Sequence, residues 1–300
     1  MTKNALASIF AAARELLRHP RALALVAALY VALIAACFLF VTIREATLWQ
    51  VFLTGLTAAA APLLFFIVQA ASASYAVGAT RPQELIKRTA QSFGKVLAIS
   101  LPLILLAALS VYLLNKLENR VRLSPEERAR AEASLSTSSD DEAESAPTTT
   151  AKPRPPVRWG YLLVSALRLL LLGVALPLVA VHLWLAAARD GLAAAFARSP
   201  RLIARAFSAR AVLTYAVGMI FFALIPYFLI TKRTPVSNNS LEIGIFGARI
   251  LLAFSLMLFG WVMTMAALAR GDDDGTAATV PGFNENHTHA APTAATTVSN

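Results

Sequence analysis

The chain has 300 residues, of which 57% are hydrophobic and 15% are charged, and its formal net charge is +10. Soluble domains are typically about 45–50% apolar and about 25% charged, so this composition excludes an ordinary water-soluble fold. The positive charge does not indicate a nucleic-acid partner, because the Lys and Arg residues cluster beside apolar runs. There they fix membrane orientation and meet anionic lipid headgroups.

The apolar residues are concentrated in six runs, at 22–43, 48–77, 96–115, 160–188, 211–231 and 243–268. Each run is about 20 residues or longer, enough for a helix to cross a hydrocarbon core about 30 Å thick. Within lipid every backbone N–H and C=O must be paired internally, so these runs form helices. The sequence predicts an all-α integral membrane bundle of six transmembrane helices, with membrane segments at 21–115 and 159–270.

Residues 1–20 are predicted to form an amphipathic helix that lies in the membrane interface. On a helical projection Leu6, Ile9 and Phe10 fall on one face, and Glu15 and Arg18 fall on the other. An apolar face opposed to a charged face is typical of helices that lie flat on a bilayer.

Cys37 is the one cysteine of the chain, so no disulfide can form within a single copy. The stretch "LIAAC" looks like a lipoprotein cleavage box, but the apolar "FLFVTI" follows it, where a lipoprotein would turn polar. The first apolar run is therefore predicted to be an uncleaved membrane helix.

Two further stretches, 81–95 and 191–208, repeat the amphipathic design before the third and fifth apolar runs. "LIKRTAQSFGKVL" places apolar residues on one arc and basic residues on the other, and "LIARAFSARAVL" follows the same order, with Ser199 as its cap and Pro200 in its first turn. Both are predicted to be interfacial helices, so the chain consists of three units, each an interfacial helix followed by two membrane helices. The residues predicted to contact an anionic lipid leaflet are Lys87, Arg88, Lys95, Arg201 and Arg205.

The segment 116–158 is a long polar loop. Its part at 124–135 begins "SPEE", a capping-box pattern that predicts a short helix. The remainder, 136–158, and the tail 271–300 are poor in apolar residues and rich in Ser, Thr and Pro. They bury too little surface to offset the entropy of ordering, so they are predicted to be disordered.

The distribution of Lys and Arg predicts that both termini are cytoplasmic. The segments on the same side of the membrane as the N-terminus hold 14 of these residues. The segments on the opposite side hold 3 without the long loop 116–158, and 11 with it. Basic residues are enriched in cytoplasmic segments, so the sequence predicts a multi-pass protein of a bacterial inner membrane with this orientation.

Prolines occur near the middles of the second to fifth membrane helices, at Pro62, Pro102, Pro177 and Pro226. Each removes one backbone hydrogen bond and frees the carbonyl four residues earlier, for example that of Gly173. Two interpretations remain: a kinked core that lines a cavity, as in transporters, or the general tolerance of membrane helices for proline.

Arg168 and Arg249 are the two formal charges well inside the apolar runs, and both are predicted to lie toward the outer ends of their helices. With Glu45 nearby, they form a candidate site for an anion or a headgroup. The alternative is that the arginines extend to the headgroups or form a structural ion pair.

His182 and Gln69 are candidate polar contacts that join helices within the membrane. A proton relay is disfavoured because none of the six runs contains a carboxylate. The sequence shows no paired carboxylates, no nucleophile with a base, no phosphate-binding loop and no metal cluster, so we expect no enzyme activity, no cofactor and no metal.

The stretches "RPQELIKRTAQSFGKVL" and "RSPRLIARAFSARAVL", each leading into a membrane hairpin, carry a resemblance. Over about 80–231 the chain resembles uncharacterised bacterial multi-pass proteins, and it is similar in layout to the membrane region fused to some glycerophosphodiester phosphodiesterases. The catalytic acidic and histidine motifs of those phosphodiesterases are absent from the sequence, so the resemblance implies no phosphodiesterase activity.

The predicted function is that of a non-enzymatic scaffold or lipid-interacting subunit whose basic helices bind the anionic leaflet. Its expected partners are membrane lipids, a second copy of the chain or another membrane subunit. The alternative is a transporter or flippase for an anionic or lipid substrate, which uses the proline-kinked core.

Overall fold

The computed structural model describes residues 2–43, 47–121, 159–232 and 239–277, and these residues are almost wholly helical. Two segments within the helices form π-helical turns, Leu169–Ala175 and Ile220–Leu224. The α-helices are α1 Thr2–Arg18, α2 Pro20–Thr42, α3 Leu48–Ala76, α4 Pro82–Val121, α5 Trp159–Arg168, α6 Leu176–Asp190, α7 Leu192–Ala197, α8 Ser199–Ala206, α9 Ala209–Met219, α10 Ile225–Thr231 and α11 Asn239–Ala277.

Six helices in the described part of the chain are long and apolar enough to cross a membrane, which confirms the predicted fold class. The fourth consists of α5 and α6 joined by the first π-helical segment, and the fifth of α9 and α10 joined by the second. The spans are Pro20–Thr42, Leu48–Ala76, Pro82–Arg120, Leu162–Asp190, Ala209–Thr231 and Ser240–Gly271.

The predicted interfacial helix at 81–95 is not a separate element, because α4 runs without a break from Pro82 to Val121. After Pro82, which begins the helix, the stretch contains no proline, and its one glycine, Gly94, costs a helix only about 1 kcal/mol relative to alanine. Leu85, Ser92 and Val96 are buried against the rest of the bundle. One edge of the predicted apolar face therefore packs on protein.

α1 is a separate helix, as predicted, and ends where Pro20 begins α2. Ile9 and Leu16 are buried against the bundle, where Ile9 packs with Met263 of α11. Phe10 and Leu17, on the neighbouring face, are exposed. α1 thus presents one apolar face to protein and a second one outward, and its place in the interface stays a prediction.

Residues 191–208 form two short helices, α7 and α8, instead of one. Gly191, at φ +91°, ends α6, and Arg198 separates the two short helices. The predicted cap Ser199 is instead the first residue of α8. The hydroxyl that does cap a helix is that of Ser208, which accepts the Ala211 N–H at 3.3 Å and begins α9.

Close helix approach occurs where the fifth and sixth spans cross. A side-chain carbon added at Gly218 would overlap the Thr264 side chain, and one added at Gly260 would lie 2.9 Å from the Phe222 backbone nitrogen. The two backbones therefore approach to a distance that only glycine permits.

The predictions for 124–135 and 136–158 lie outside the described residues, as do those for 278–300 and for Glu45. α11 continues through Ala277, whereas the sequence predicts that the tail begins at 271.

The carboxyl-terminal part of α11 lies beside α1 and residues 191–208, and we refer to this end of the bundle as the basic end.

Candidate functional site

An apolar cavity of about 610 Å³ opens between the membrane helices of the bundle. We refer to it as the apolar cavity. Every one of the six spans contributes to its wall, and its lining residues in the described structure include no Asp, Glu, Lys, Arg or His. One residue from each span marks its position: Tyr30, Gln69, Ser100, Pro177, Tyr215 and Trp261.

The polar groups in the wall of the apolar cavity bond to each other across helices. The Trp261 indole N–H donates to Gln69 Oε1 at 2.8 Å, which joins α11 to α3. The Trp184 indole N–H donates to Ser100 Oγ at 3.0 Å, which joins α6 to α4. Gln69 therefore joins helices, as its sequence position predicts. These bonds satisfy donors and acceptors that would otherwise face the cavity, so the wall is chemically apolar.

The prolines of the fourth and fifth spans follow the π-helical turns. Pro177 is the second residue after Leu169–Ala175, and Pro226 is the second residue after Ile220–Leu224. By contrast, Pro62 and Pro102 lie inside the continuous helices α3 and α4. A π-helical turn contains one residue more than an α-helical turn, which shifts the backbone hydrogen bonds and accommodates a proline that has no N–H to donate. Such turns are frequent at functional sites.

The carbonyl of Gly173, freed by Pro177, accepts a hydrogen bond from the Tyr215 hydroxyl at 3.0 Å. Tyr215 also packs edge-on against Phe222, with ring centroids 5.8 Å apart, and Phe222 packs against Trp261 at 5.3 Å. The sequence predicts the free carbonyl but not its partner. The irregular backbone of the fourth span is thus fixed to the fifth and sixth spans at the wall of the apolar cavity.

Arg168 pairs with α4, and its predicted neighbour Glu45 lies outside the described residues. Its Nη2 atom lies 3.3 Å from Glu118 Oε2, and it also donates to Asn115. Glu118 is largely buried, which indicates a structural ion pair and matches the alternative interpretation of Arg168. The sequence missed this carboxylate because the apolar run ends at 115, while the helix continues through Glu118.

Arg249 lies elsewhere, in a separate cavity of about 510 Å³ between α10 and α11. Lys232 and Glu242 line the same cavity. The described structure therefore does not bring Arg168 and Arg249 into one anion site.

His182 is 1% exposed, and its Nδ1 lies 2.9 Å from the carbonyl oxygen of Leu178 in the same helix. Because a carbonyl can only accept, Nδ1 carries the proton of this bond. The ring borders a small void beside Arg205 and Thr214 at the basic end. His182 is thus a packed core residue near charged groups, and the bond it makes lies within α6.

The five residues predicted to contact lipid differ in their surroundings. Lys87 and Arg201 are exposed and Lys95 is half-buried, whereas Arg88 pairs with Glu84 at 2.7 Å. Arg205 is half-buried and donates to the Gly271 carbonyl at 3.2 Å, so it packs on the end of the sixth span. Contact between these residues and lipid stays a prediction.

The fold and the apolar cavity define a multi-pass helical membrane protein with a cavity between its membrane helices. In the described residues no group of three or more His, Cys, Asp or Glu could hold a metal ion. Comparison with family models, with curated proteins and with solved structures finds no match to this chain. The resemblance to the membrane region of phosphodiesterases therefore stays a prediction.

Proposed function

We propose that the protein is a non-enzymatic, lipid-interacting membrane protein that holds a hydrocarbon chain in the apolar cavity. The observation that carries this proposal is the cavity itself, which has a volume of about 610 Å³ and no charged lining residue among those described. Ligand sites typically have volumes of about 300–1,000 Å³ and mostly apolar walls. A charged group placed there would lose its hydration without gaining a partner, so an apolar chain fits best.

The wall chemistry favours an acyl chain over a polar substrate. Gln69 and Ser100, which could recognise a polar ligand, already accept hydrogen bonds from Trp261 and Trp184. These bonds occupy the Gln69 and Ser100 oxygens and leave few polar groups for a polar ligand, whereas an acyl chain needs only contact with the aromatic and aliphatic surface.

The proposal includes a bacterial inner membrane, cytoplasmic termini and attachment of the basic end to the anionic leaflet. Phe196, Ile203 and Phe207 are exposed beside the exposed Arg198 and Arg201 at this end. Exposed apolar side chains next to basic ones suit a lipid interface, where each basic residue contributes about 1 kcal/mol. A scaffold role toward a second copy or another membrane subunit is compatible with this placement.

The test uses two neighbouring alanines of α4. Ala107 lines the apolar cavity, and Ala108 is exposed and does not. We expect A107F to occupy the cavity and to lose most of the lipid that co-purifies with the wild-type protein in mild detergent, as measured by native mass spectrometry. A108F, with the same change in size, should retain it. Equal lipid content in the two variants would refute the proposal.

A second candidate function is lipid transport, favoured by the π-helical turns and the Tyr215–Gly173 hydrogen bond at the cavity wall. Such turns allow parts of one span to move separately. Wild-type protein in liposomes should then exchange a fluorescent phospholipid between leaflets, and Y215F should change that rate. Absence of exchange by the wild-type protein would remove this candidate and leave lipid binding in place.

A further inference from the structure

A second cavity, of about 440 Å³, opens at the basic end. It lies between α1, the turn that joins α3 to α4, the end of α6 and the end of the sixth span, and none of its lining residues lines the apolar cavity. We refer to it as the arginine pocket. The residues that carry its chemistry are Glu15, Tyr75, Arg88, Arg189 and Arg270.

The charge of the arginine pocket is positive. Its lining holds three arginines and one glutamate, a formal net charge of +2, which becomes +1 when Glu84, paired with Arg88 at 2.7 Å, is counted. Glu15 is already engaged, because it lies 3.7 Å from Arg18 and 3.2 Å from His19. Arg270 makes no ion pair with another residue in the described part of the chain. The pocket therefore has positive charge to offer an anion.

The pocket also contains a polar group without a partner. Tyr75 is 5% exposed, and its buried hydroxyl makes no hydrogen bond with any described residue. Buried hydroxyl groups in folded proteins nearly always have a partner. The hydroxyl has almost no accessible surface, so it would reach an anion in the pocket after a small displacement of the side chain.

The backbone of the α3–α4 turn does not contribute donors to the pocket. Gly78, at φ +102°, donates its N–H to the Tyr75 carbonyl, and Ala79 donates to the Ser74 carbonyl, as in a Schellman motif. Thr80 N–H is bonded to the Gly78 carbonyl. Recognition of a ligand therefore falls to side chains: the guanidinium groups and the hydroxyls of Tyr75 and Thr80.

We infer that the arginine pocket binds a phosphate group, either of a lipid headgroup or of a free anion. Guanidinium groups present paired N–H donors that match phosphate oxygens, and several arginines with hydroxyl groups suit an anion with several oxygen atoms. Basic pockets between membrane helices are a known mode of binding anionic headgroups. This inference does not depend on the apolar cavity, so each proposal can fail without the other.

The test measures thermal stabilisation of the purified full chain in mild detergent. Dioctanoyl phosphatidylglycerol should raise Tm, and dioctanoylglycerol, which has the same chains and no phosphate, should raise it less. In R270Q the concentration of the phospholipid needed for half of the effect should rise about tenfold or more. The matched control is R120Q, which removes an exposed charge near the carboxyl end of α4, outside the arginine pocket, and should behave as the wild type.

Inorganic phosphate distinguishes the two possible ligands of the arginine pocket, a lipid headgroup and a free anion. If it raises Tm with the same dependence on Arg270, the site binds the free anion, and if only the phospholipid does so, the site binds a headgroup. No stabilisation by either probe, or an equal loss in R120Q and R270Q, would overturn the inference.

Y75F provides a second variant should R270Q fail to fold. It removes only the hydroxyl group, and it should weaken phosphate-dependent stabilisation several-fold. Y112F, which alters an exposed tyrosine of α4, is its control. Equal stabilisation of Y75F and Y112F would contradict the part of the inference that rests on Tyr75.

Discussion

The stretches at 82–95 and 191–208 have similar sequence patterns but different structures. The first is the beginning of one unbroken helix of 40 residues, and the second is divided into α7 and α8 by Arg198. Both carry basic residues on one face and apolar residues on another. The amphipathic pattern therefore predicts that each is helical but not where each helix begins or ends.

Residues that interrupt a helix explain the difference. The second stretch begins at Gly191, whose φ of +91° ends α6, has Pro200 in the first turn of α8, and ends at Ser208, which caps α9. In the first, Pro82 begins α4, and the only other such residue is Gly94, which continues the helix. Glycine at a positive φ, proline in a first turn and a capping serine each specify a boundary, whereas one glycine within a strong helix does not.

The largest effect is expected from a break in the continuous helix. Gly94→Pro removes an internal hydrogen bond and introduces a clash, at a cost of about 3 kcal/mol or more. Thermal unfolding in mild detergent should show a clear fall in Tm. An unchanged Tm would mean that α4 already bends at this position.

Gly191→Ala should have the next largest effect, because φ +91° is a conformation that side-chain-bearing residues rarely adopt. No neighbouring atom lies within 4 Å of an added side-chain carbon, so the cost comes from the backbone alone, at about 1–3 kcal/mol. The same Tm measurement checks this. A stabilised variant would show that the end of α6 can adopt another conformation.

Ser208→Ala should destabilise the start of the fifth span by about 1 kcal/mol, because it removes the acceptor for the Ala211 N–H. Hydrogen exchange at 209–212 should increase, with a small fall in Tm. The comparison variant is Ser199→Ala, which removes a hydroxyl from the first turn of α8 that caps no helix and should cost less.

Gly94→Ala should have the smallest effect, and it should be stabilising, by about 0.5–1 kcal/mol. An added carbon at this position has no neighbour within 4 Å. A rise in Tm for Gly94→Ala with a fall for Gly191→Ala would separate the two glycines by their roles. A fall in both would show that Gly94 serves a purpose other than continuing the helix.

The fold class could be predicted because membrane spans are encoded locally, by runs of apolar residues. The free carbonyl of Gly173 could also be predicted, since it depends only on Pro177 four residues later. Its partner Tyr215 could not, because that contact joins residues 42 positions apart. Glu118 was missed for a related reason: composition marks the end of an apolar run, not the end of the helix that contains it.

The arginine pocket and the crossing at Gly218 depend on how distant segments meet. Glu15, Arg88, Arg189 and Arg270 come from four parts of the chain, and each alone looks like a charge beside a membrane span. Gly218 needs to be glycine only because Thr264 packs on it. Neither feature leaves a local pattern in the sequence.

The length of α4 has a further consequence. Its 40 residues span about 60 Å, so a helix axis inclined by roughly 60° would be required to submerge it in a core about 30 Å thick. Transmembrane helices incline by about 0–40°. Part of α4 must therefore lie outside the hydrocarbon core, and the burial of Leu85 and Val96 keeps its amino-terminal part against the bundle instead of free in water.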